Sequence, residues 1–412
     1  MSTIERVLSD EIFPTGTLVG LSALLQAIAR EPRCTRSHLA ELTGLSRGTV
    51  SSRIDQLIAS GLVVEHTGSS QGGRPAGELQ LNGDFGVILA ADLDATQCYL
   101  SISDLSGSTL AVKSYELSIA GGPKLVLDSI DKAFQKLLKA AGKRVADVRA
   151  IGIGVPGPVE HSTGTVVRPP IMPGWDGYVV PEFFAERYPV PTLVDNDVNL
   201  AALGEYWARN DDTEHILYIK ISTGIGCGIV SGGRLHRGAQ GAAGDIGHIQ
   251  IPGEDESICS CGNIGCLEAA GGGDALARKL RAHGIPEAIT SRDVTRLAAE
   301  GNIYARRAVR EASVSIGKVL ATIVSFYNPS IIVVGGPFAE LNEELLAGIR
   351  AAIYDRALPL ATRSLQVEIS AKKESAGALG ATVLALEHVL SSHGLGHILA
   401  SGALKTETRS PK

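Results

Sequence analysis

The sequence predicts a mostly α-helical winged helix-turn-helix followed by a two-lobed α/β unit with a structural zinc site. Three observations carry this. Residues 17 to 82 hold short amphipathic helical stretches and then a Gly-rich hairpin. From Asp84, apolar strands alternate with helical segments and many glycines. His248, Cys259, Cys261 and Cys266 gather in one loop-rich stretch.

The helical part comes first. In TLVGLSALLQAIAR, residues 17 to 30, Leu18, Leu21, Leu24, Leu25 and Ile28 recur at helical spacing and make one apolar face. After Pro32, Thr35 caps a short helix through Leu42, Gly44 ends it, and Ser46 caps a third helix to about Ser60. Two helices joined by Thr-Gly-Leu make a helix-turn-helix. The third turns Val50, Ile54, Leu57 and Ile58 inward and leaves Arg47, Thr49, Ser52 and Arg53 outward, where they can meet a major groove. LVVEHTGSSQGGRPAGELQL then reads as two strands around a tip carrying Arg74, a wing whose arginine can enter a narrow minor groove. Residues 1 to 82 carry seven arginines against eight acids, but five of the arginines lie between the helix-turn-helix and the wing tip. Charge is sorted toward one face, and Arg36 joins Arg47, Thr49, Ser52, Arg53 and Arg74 as an expected DNA contact.

The α/β part repeats a form. GVILAADLDATQCYLSISDLSG and, about 130 residues later, ILYIKISTGIGCGIVSGG each read as strand, polar or glycine turn, and returning strand. This suggests a duplication with two lobes facing a cleft. Amides at Ser222, Thr223, Gly224, Gly226 and Gly228 suit a phosphate cradle, since a glycine has no Cβ to block approach. IIVVGGPF at 331 to 338 ends an apolar strand at Gly335 and Gly336, which reads equally as a nucleotide-side loop or as a plain strand end. In LVDNDVNLAALGE a strand delivers Asp195, Asn196, Asp197 and Asn199 just before a helix. A carboxylate there can accept a proton from a substrate hydroxyl, and Asp197 is the preferred candidate; Asp195 and Asn199 read equally as helix caps.

The cluster HIQIPGEDESICSCGNIGCLE has zinc spacing. One imidazole and three thiolates complete a tetrahedral set with no position open for water, so a structural ion is expected rather than a catalytic one, and Gly262 and Gly265 supply the turns. Half of the six cysteines sit here, and Cys34, Cys98 and Cys227 suggest no disulfide framework, which points to the cytoplasm. The acidic N-terminus does not read as a signal peptide and no apolar run is long enough to span a membrane. The net charge of -6 gives no global attraction to nucleic acid.

VPGPV (155 to 159), DNDVNLAALGE (195 to 205), STGIGCG (222 to 228), GDIGH (244 to 248), CSCGNIGCLE (259 to 268) and VVGGP (333 to 337), in this order, resemble the ROK family of sugar kinases and transcriptional repressors. The winged segment with GRP at 73 to 75 resembles its repressor branch. The resemblance implies an actin-like or hexokinase-like ATPase fold. It also implies a sugar held by residues matching Asn196, Asp197, Asp245, His248 and Glu268, zinc beside it, and Asp197 as base in members that phosphorylate sugar. The expected division is a winged module at 1–82, a small lobe at 83–198 with about 375–391, a large lobe at 199–374 and a flexible tail at 392–412. Asp92, Thr223, Gly224, Gly226, Gly335 and Gly336 match nucleotide-phosphate positions.

Two departures matter. The kinases' Asp-x-Gly-Gly-Thr-Lys turn reads here Asp92, Leu93, Asp94, Ala95, Thr96, Gln97, which puts a charge and a Cβ where phosphate should lie. Asp245 stands where the kinases carry glutamate. The expectation is therefore a DNA-binding regulator, a repressor, that senses a sugar or sugar derivative without phosphorylating it. It would act on double-stranded operator DNA as a homodimer or homotetramer, with no membrane partner. An active sugar kinase using Mg-ATP, with an attached DNA-binding arm, is the alternative.

Overall fold

Leu18, Leu21, Leu24, Leu25 and Ile28 line the buried face of helix α1 (Thr15–Arg30), as their spacing predicts. The computed structural model describes residues 15–31, 34–67, 77–209, 211, 213–253, 257–341 and 343–407. Thr35 Oγ1 accepts from the His38 amide at 3.2 Å to start α2 (Arg36–Thr43), and Gly44 ends it at φ 67°. Ser46 Oγ accepts from the Thr49 amide at 3.1 Å to start α3 (Arg47–Ala59), whose Val50, Ile54 and Leu57 are buried. Strands β1 (Val63–Thr67) and β2 (Gly77–Leu81) pair antiparallel, from Val63 opposite Leu81 to Thr67 opposite Gly77. Arg74 falls in 68–76, outside the described residues.

Two five-stranded sheets follow on one plan. In the first, β3 (Val87–Leu93), β4 (Gln97–Asp104) and β5 (Thr109–Glu116) form an antiparallel meander. After α4 (Pro123–Ala140), β6 (Val148–Val155) joins β3 in parallel. A small hairpin, β7 (Val159–Glu160) with β8 (Thr165–Val166), and α5 (Val180–Ala185) lead to β9 (Thr192–Asn196), parallel to β6. Helix α6 (Asp197–Ala208) then crosses to the second sheet, where β10 (Ile216–Ile221), β11 (Ile225–Ser231) and β12 (Arg234–Leu235) repeat the meander. Helices α7 (Leu267–Gly271), α8 (Gly273–Ala282), α9 (Ser291–Ala299) and α10 (Ile303–Tyr327) precede β13 (Ile331–Gly335), which joins β10 in parallel. After α11 (Glu343–Arg356) and α12 (Pro359–Thr362), β14 (Gln366–Ile369) completes the order β12-β11-β10-β13-β14. The first sheet runs β5-β4-β3-β6-β9 with the same senses, the duplication that the two similar hairpins suggested.

The lobes are stitched by crossed helices. Helix α6 leaves the first sheet and lies on the second, while α13 (Ala376–Val389) leaves the second and returns to β3 and β6 of the first. The two helices pack on each other with their backbones in contact: a Cβ at Gly204 would lie 2.0 Å from Ala376 O, and one at Gly380 1.7 Å from Leu200 O.

The winged module does not sit apart. Its Leu21, Leu25, Val50 and Leu57 share one core with Ile88 and Ala150 of the first sheet, with Leu386 and Val389 of α13, and with Leu395. Leu395 belongs to α14 (Ser392–Glu407), so the tail expected to be flexible is instead helical through Glu407. The reason is local: Leu395 is buried against α1, and Ser22 Oγ donates to Leu390 O at 2.7 Å. His393 and His397 remain exposed, as expected.

Candidate functional site

Strand β9 ends on Asn196 and α6 begins on Asp197, so the sheet delivers polar side chains to an interlobe cleft of about 740 Å³. Asn196, Asp197, Asp245, His248 and Glu268 all line it, together with Thr223, Gly224 and Gly226. Asn196 caps α6: its Oδ1 accepts from the amides of Val198 (3.0 Å) and Asn199 (3.3 Å), and its Nδ2 donates to Gly157 O (3.2 Å). The capping expected of Asp195 or Asn199 thus falls to Asn196, which keeps one N–H for a ligand. Asp195 is buried and fully engaged. Its Oδ1 accepts from Asn199 Nδ2 (2.9 Å) and its Oδ2 from Arg237 Nε (2.6 Å). Glu268 reaches across the cleft floor, where its Oε2 accepts from the Ile225 amide (3.3 Å) and its Oε1 from Ser260 Oγ (3.0 Å). Gly224 makes room for it, since a Cβ there would lie 2.1 Å from Glu268 Oε2.

The cleft's rim is the Cys₃His cluster. The ligand atoms of His248, Cys259, Cys261 and Cys266 lie within 4.8 Å of one another, a set able to hold a metal ion. His248 Nδ1 is 3.5 Å from Cys259 Sγ, and Cys261 Sγ is 3.8 Å from Cys266 Sγ. A disulfide needs about 2.05 Å, so these are separate thiols. A regular zinc tetrahedron has S···S edges of about 3.8 Å and N···S edges of about 3.5 Å, given Zn–S near 2.3 Å and Zn–N near 2.0 Å. The opposite ring nitrogen, Nε2, faces the cleft, 3.9 Å from Asp245 Oδ1. One imidazole therefore serves both sides.

The residues matched to nucleotide phosphate are divided. Thr223, Gly224 and Gly226 face the cleft, whereas Asp92 and Gly336 line a second cavity of about 720 Å³. Gly335 lies under Tyr218, whose Oη would be 1.8 Å from a Cβ there. Gly226 and Gly228 have a packing reason besides any cradle: Cβ atoms there would meet the Val198 side chain at 2.8 Å and Val198 O at 2.5 Å, because α6 lies directly on β11.

Sequence reasoning missed Lys220. Its Nζ donates to Asp197 Oδ2 at 2.5 Å and lies 3.5 Å from Asp94 Oδ2, which also accepts from Ser222 Oγ at 2.9 Å. Burial works against the ammonium, but Asp197, Asp94 and Asp92 outweigh it and hold its pKa well above the ordinary lysine range. Asp92 is wholly buried, its Oδ1 has no hydrogen-bond partner, and burial pushes its carboxyl up to about 8. The signal was present in the sequence: a lysine among the aliphatic residues of ILYIKI.

The expected DNA contacts also divide. Arg47 and Ser52 are exposed on α3, and Thr49 is half-buried with its hydroxyl 2.8 Å from Ser46 Oγ. Arg36 does not face outward. It donates to Glu65 Oε2 (2.8 Å), Asp55 Oδ1 (2.8 Å) and Ser51 O (3.2 Å), tying α2 to α3 and β1. Arg53 lies over α1, its guanidinium filling the space above Gly20. Both were expected at the groove because helical spacing gives a face but not a neighbour. Arg36→Ala is expected to destabilise the module by about 1 kcal/mol in thermal unfolding, with no change in the salt dependence of DNA binding.

Among the described residues no helix is long and apolar enough to cross a membrane. Comparisons agree with the two-part organisation. Residues 22–64 match the model of a winged helix-turn-helix DNA-binding domain. The xylose repressor of Caldicellulosiruptor bescii is 30% identical over 382 residues, covering 89% of this chain and 95% of that protein. The Escherichia coli K12 DNA-binding transcriptional dual regulator NagC is 26% identical over 92% of this chain and 95% of its own. The crystal structure of a ROK family transcriptional regulator, a homolog of the E. coli Mlc protein, has the same fold over 94% of this chain and all of that one, with a TM-score of 0.78 at 24% identity. A Streptomyces griseus ROK glucokinase, solved with glucose and AMPPNP, matches 73% of this chain and 99% of its own at 28% identity and a TM-score of 0.64. With residues 88–388 matching the family model itself, the chain belongs to the ROK family.

Proposed function

We propose that this protein is a DNA-binding transcriptional regulator, a repressor, whose kinase-like cleft senses a sugar or sugar derivative and signals through the α6–α13 pair. One contact carries the coupling. At the end of α1, Arg30 Nη1 donates to Tyr206 Oη (2.5 Å), and its guanidinium stacks over Tyr206 (4.7 Å) and Trp207 (4.9 Å) while facing Glu387 of α13 (3.5 Å). Tyr206 and Trp207 are in the last turn of α6, and Asp197 begins it. One rigid helix of twelve residues, about 18 Å long, thus joins the cleft to the winged module.

In this reading the sugar's hydroxyls donate to Asp197, Asp245 and Glu268 and accept from His248 Nε2–H and Asn196 Nδ2–H. Zinc is the ion that the Cys₃His cluster fits. Bound through His248 Nδ1 and the three thiolates, it would fix the loop and the imidazole tautomer so that Nε2–H points at ligand. Ligand that favours one lobe arrangement shifts the winged module's population, and a differential of about 1–3 kcal/mol suffices to change DNA affinity by a factor of ~5–150. Arg47, Ser52 and Thr49 face the groove, with Arg74 on the wing. Paired recognition helices imply a dimer, for half-sites one turn apart. Phe326, Tyr354, Leu358 and Leu360 are exposed on the large lobe's helices and offer an apolar face for it. The division 1–82, 83–198 with 375–391, and 199–374 is kept as the domain scheme, and operator DNA implies the cytoplasm.

The test joins two assays. DNA selected for binding to the full chain is titrated by fluorescence anisotropy with and without glucose, xylose and N-acetylglucosamine, beside a coupled ATP-consumption assay with the same sugars. Expected is a sugar that shifts DNA affinity at least fivefold without ATP turnover; turnover abolished by Asp197→Asn would establish the kinase alternative instead. Arg30→Ala is expected to keep sugar binding, measured by thermal shift, while losing most of the effect on DNA.

A further inference from the structure

Asp94 and Lys220 line both the cleft and the second cavity, so they form the wall between the two. The wall joins elements from both sheets. Asp94 lies on the β3–β4 turn of the small lobe, Lys220 and Ser222 at the end of β10 in the large lobe, and Asp197 at the start of the crossing helix α6. Asp92 adds a third buried carboxyl, with one oxygen unpartnered. Three converging carboxyls are a hard-cation environment, whose ordinary occupant is a divalent ion. Here a lysine from the protein's own strand fills it.

We propose that Lys220 is a tethered cation, an internal counter-ion that clamps the two lobes across the cleft in place of a metal ion or nucleotide, and that removing it uncovers a divalent-cation site formed by Asp92, Asp94 and Asp197. The charge balance fits. Lys220 and the Ala95 and Ser222 donors hold Asp94 ionised against its burial, while Asp92, with no cation in hydrogen-bonding reach, is the neutral member. Resting on the sugar-sensing reading, a second consequence follows for Asp197. Its Oδ2 is already bonded to the ammonium, so the carboxylate is held as a fixed acceptor for a sugar hydroxyl and is a poorer base. The clamp thus keeps the recognition and removes the proton transfer.

The probe is Mn²⁺, followed by its EPR signal on zinc-loaded full-length protein. Wild type is expected to bind none at the wall. Lys220→Met should bind one ion per chain at least tenfold more tightly than any wild-type binding, and adding Asp92→Asn should remove that gain. Equal Mn²⁺ binding by wild type, or a folded Lys220→Met with none, overturns the proposal. Should Lys220→Met not fold, the charge-balanced pair Asp94→Asn with Lys220→Met reads the clamp directly. Amide exchange of residues 93–98 and 222–226 should rise at least tenfold in it, and unchanged exchange overturns the clamp. Thermal shift of the wild type with the three sugars reports on the sugar reading separately, since it involves neither variant nor Mn²⁺.

Discussion

Cys266→Ser is expected to release the bound zinc, measured by elemental analysis as a fall from one ion per chain to none, and to abolish the sugar-induced thermal shift. Cys266 is buried, and its Sγ sits 3.8 Å from that of Cys261, an edge of the tetrahedron. A serine hydroxyl is a far weaker ligand for zinc than a thiolate. Structural zinc contributes about 10–16 kcal/mol in small zinc-folded peptides, so three ligands cannot hold the ion as four do. The loop between η-turned His248 and Glu268 has little else to fix it: Ile258 and Ile264 are exposed, and its pairings are isolated bridges at Gln250 with Cys266 and Ile258 with Ile264. Losing the ion therefore frees His248 and Ser260, the latter the partner of Glu268. DNA binding should survive, because the core under α1–α3 contains no residue of this loop. Cys227→Ser, a buried cysteine outside the cluster, should retain its zinc. Undiminished zinc in Cys266→Ser would end the structural-zinc reading; a retained sugar shift would separate the ion from the ligand site.

How much was legible depended on whether a residue's role is local. Thr35, Gly44 and Ser46 do what their types suggest because capping is settled within three or four residues. The zinc ligands were legible for the same reason, three of them lying within eight residues of sequence, from Cys259 to Cys266. Arg36 and Arg53 were misplaced because their partners are long-range: Glu65 is on the wing, and Gly20 is on another helix. Lys220 was invisible for the same cause, since Asp94 lies 126 residues earlier (220 − 94) and only the folded lobes bring the pair together. The tail's helix was missed because SSHGLGHILASG has weak amphipathic periodicity, and what orders it is Leu395 meeting α1.

The second large effect is expected from Gly380→Ala, which should destabilise the protein by about 3 kcal/mol or more and, in whatever fraction folds, silence the sugar response. A single methyl is ordinarily a benefit in a helix: alanine is the better helix former by up to about 1 kcal/mol. Here it would lie 1.7 Å from Leu200 O, a backbone atom of α6 that no rotamer change can move. The helices must part by more than an ångström, along a crossing that buries Leu200, Leu203, Ala381 and Leu384 together. Overpacking costs typically about 1–3 kcal/mol, and more when backbone must yield. Gly396→Ala makes the contrast. That residue also lies in a helix, α14, but its Cβ would meet only Leu18 Cδ1 at 3.8 Å, an ordinary contact, so the same substitution should be neutral or stabilising there. Thermal unfolding of the two variants reads the difference, and equal melting temperatures would mean that the crossing is not tight. If Gly380→Ala folds, binds selected DNA, yet no longer responds to sugar, the closeness of α6 to α13 is itself the transmission, since Asp197 and Trp207 would keep every contact of their own while the helix between them lost its register on the first sheet.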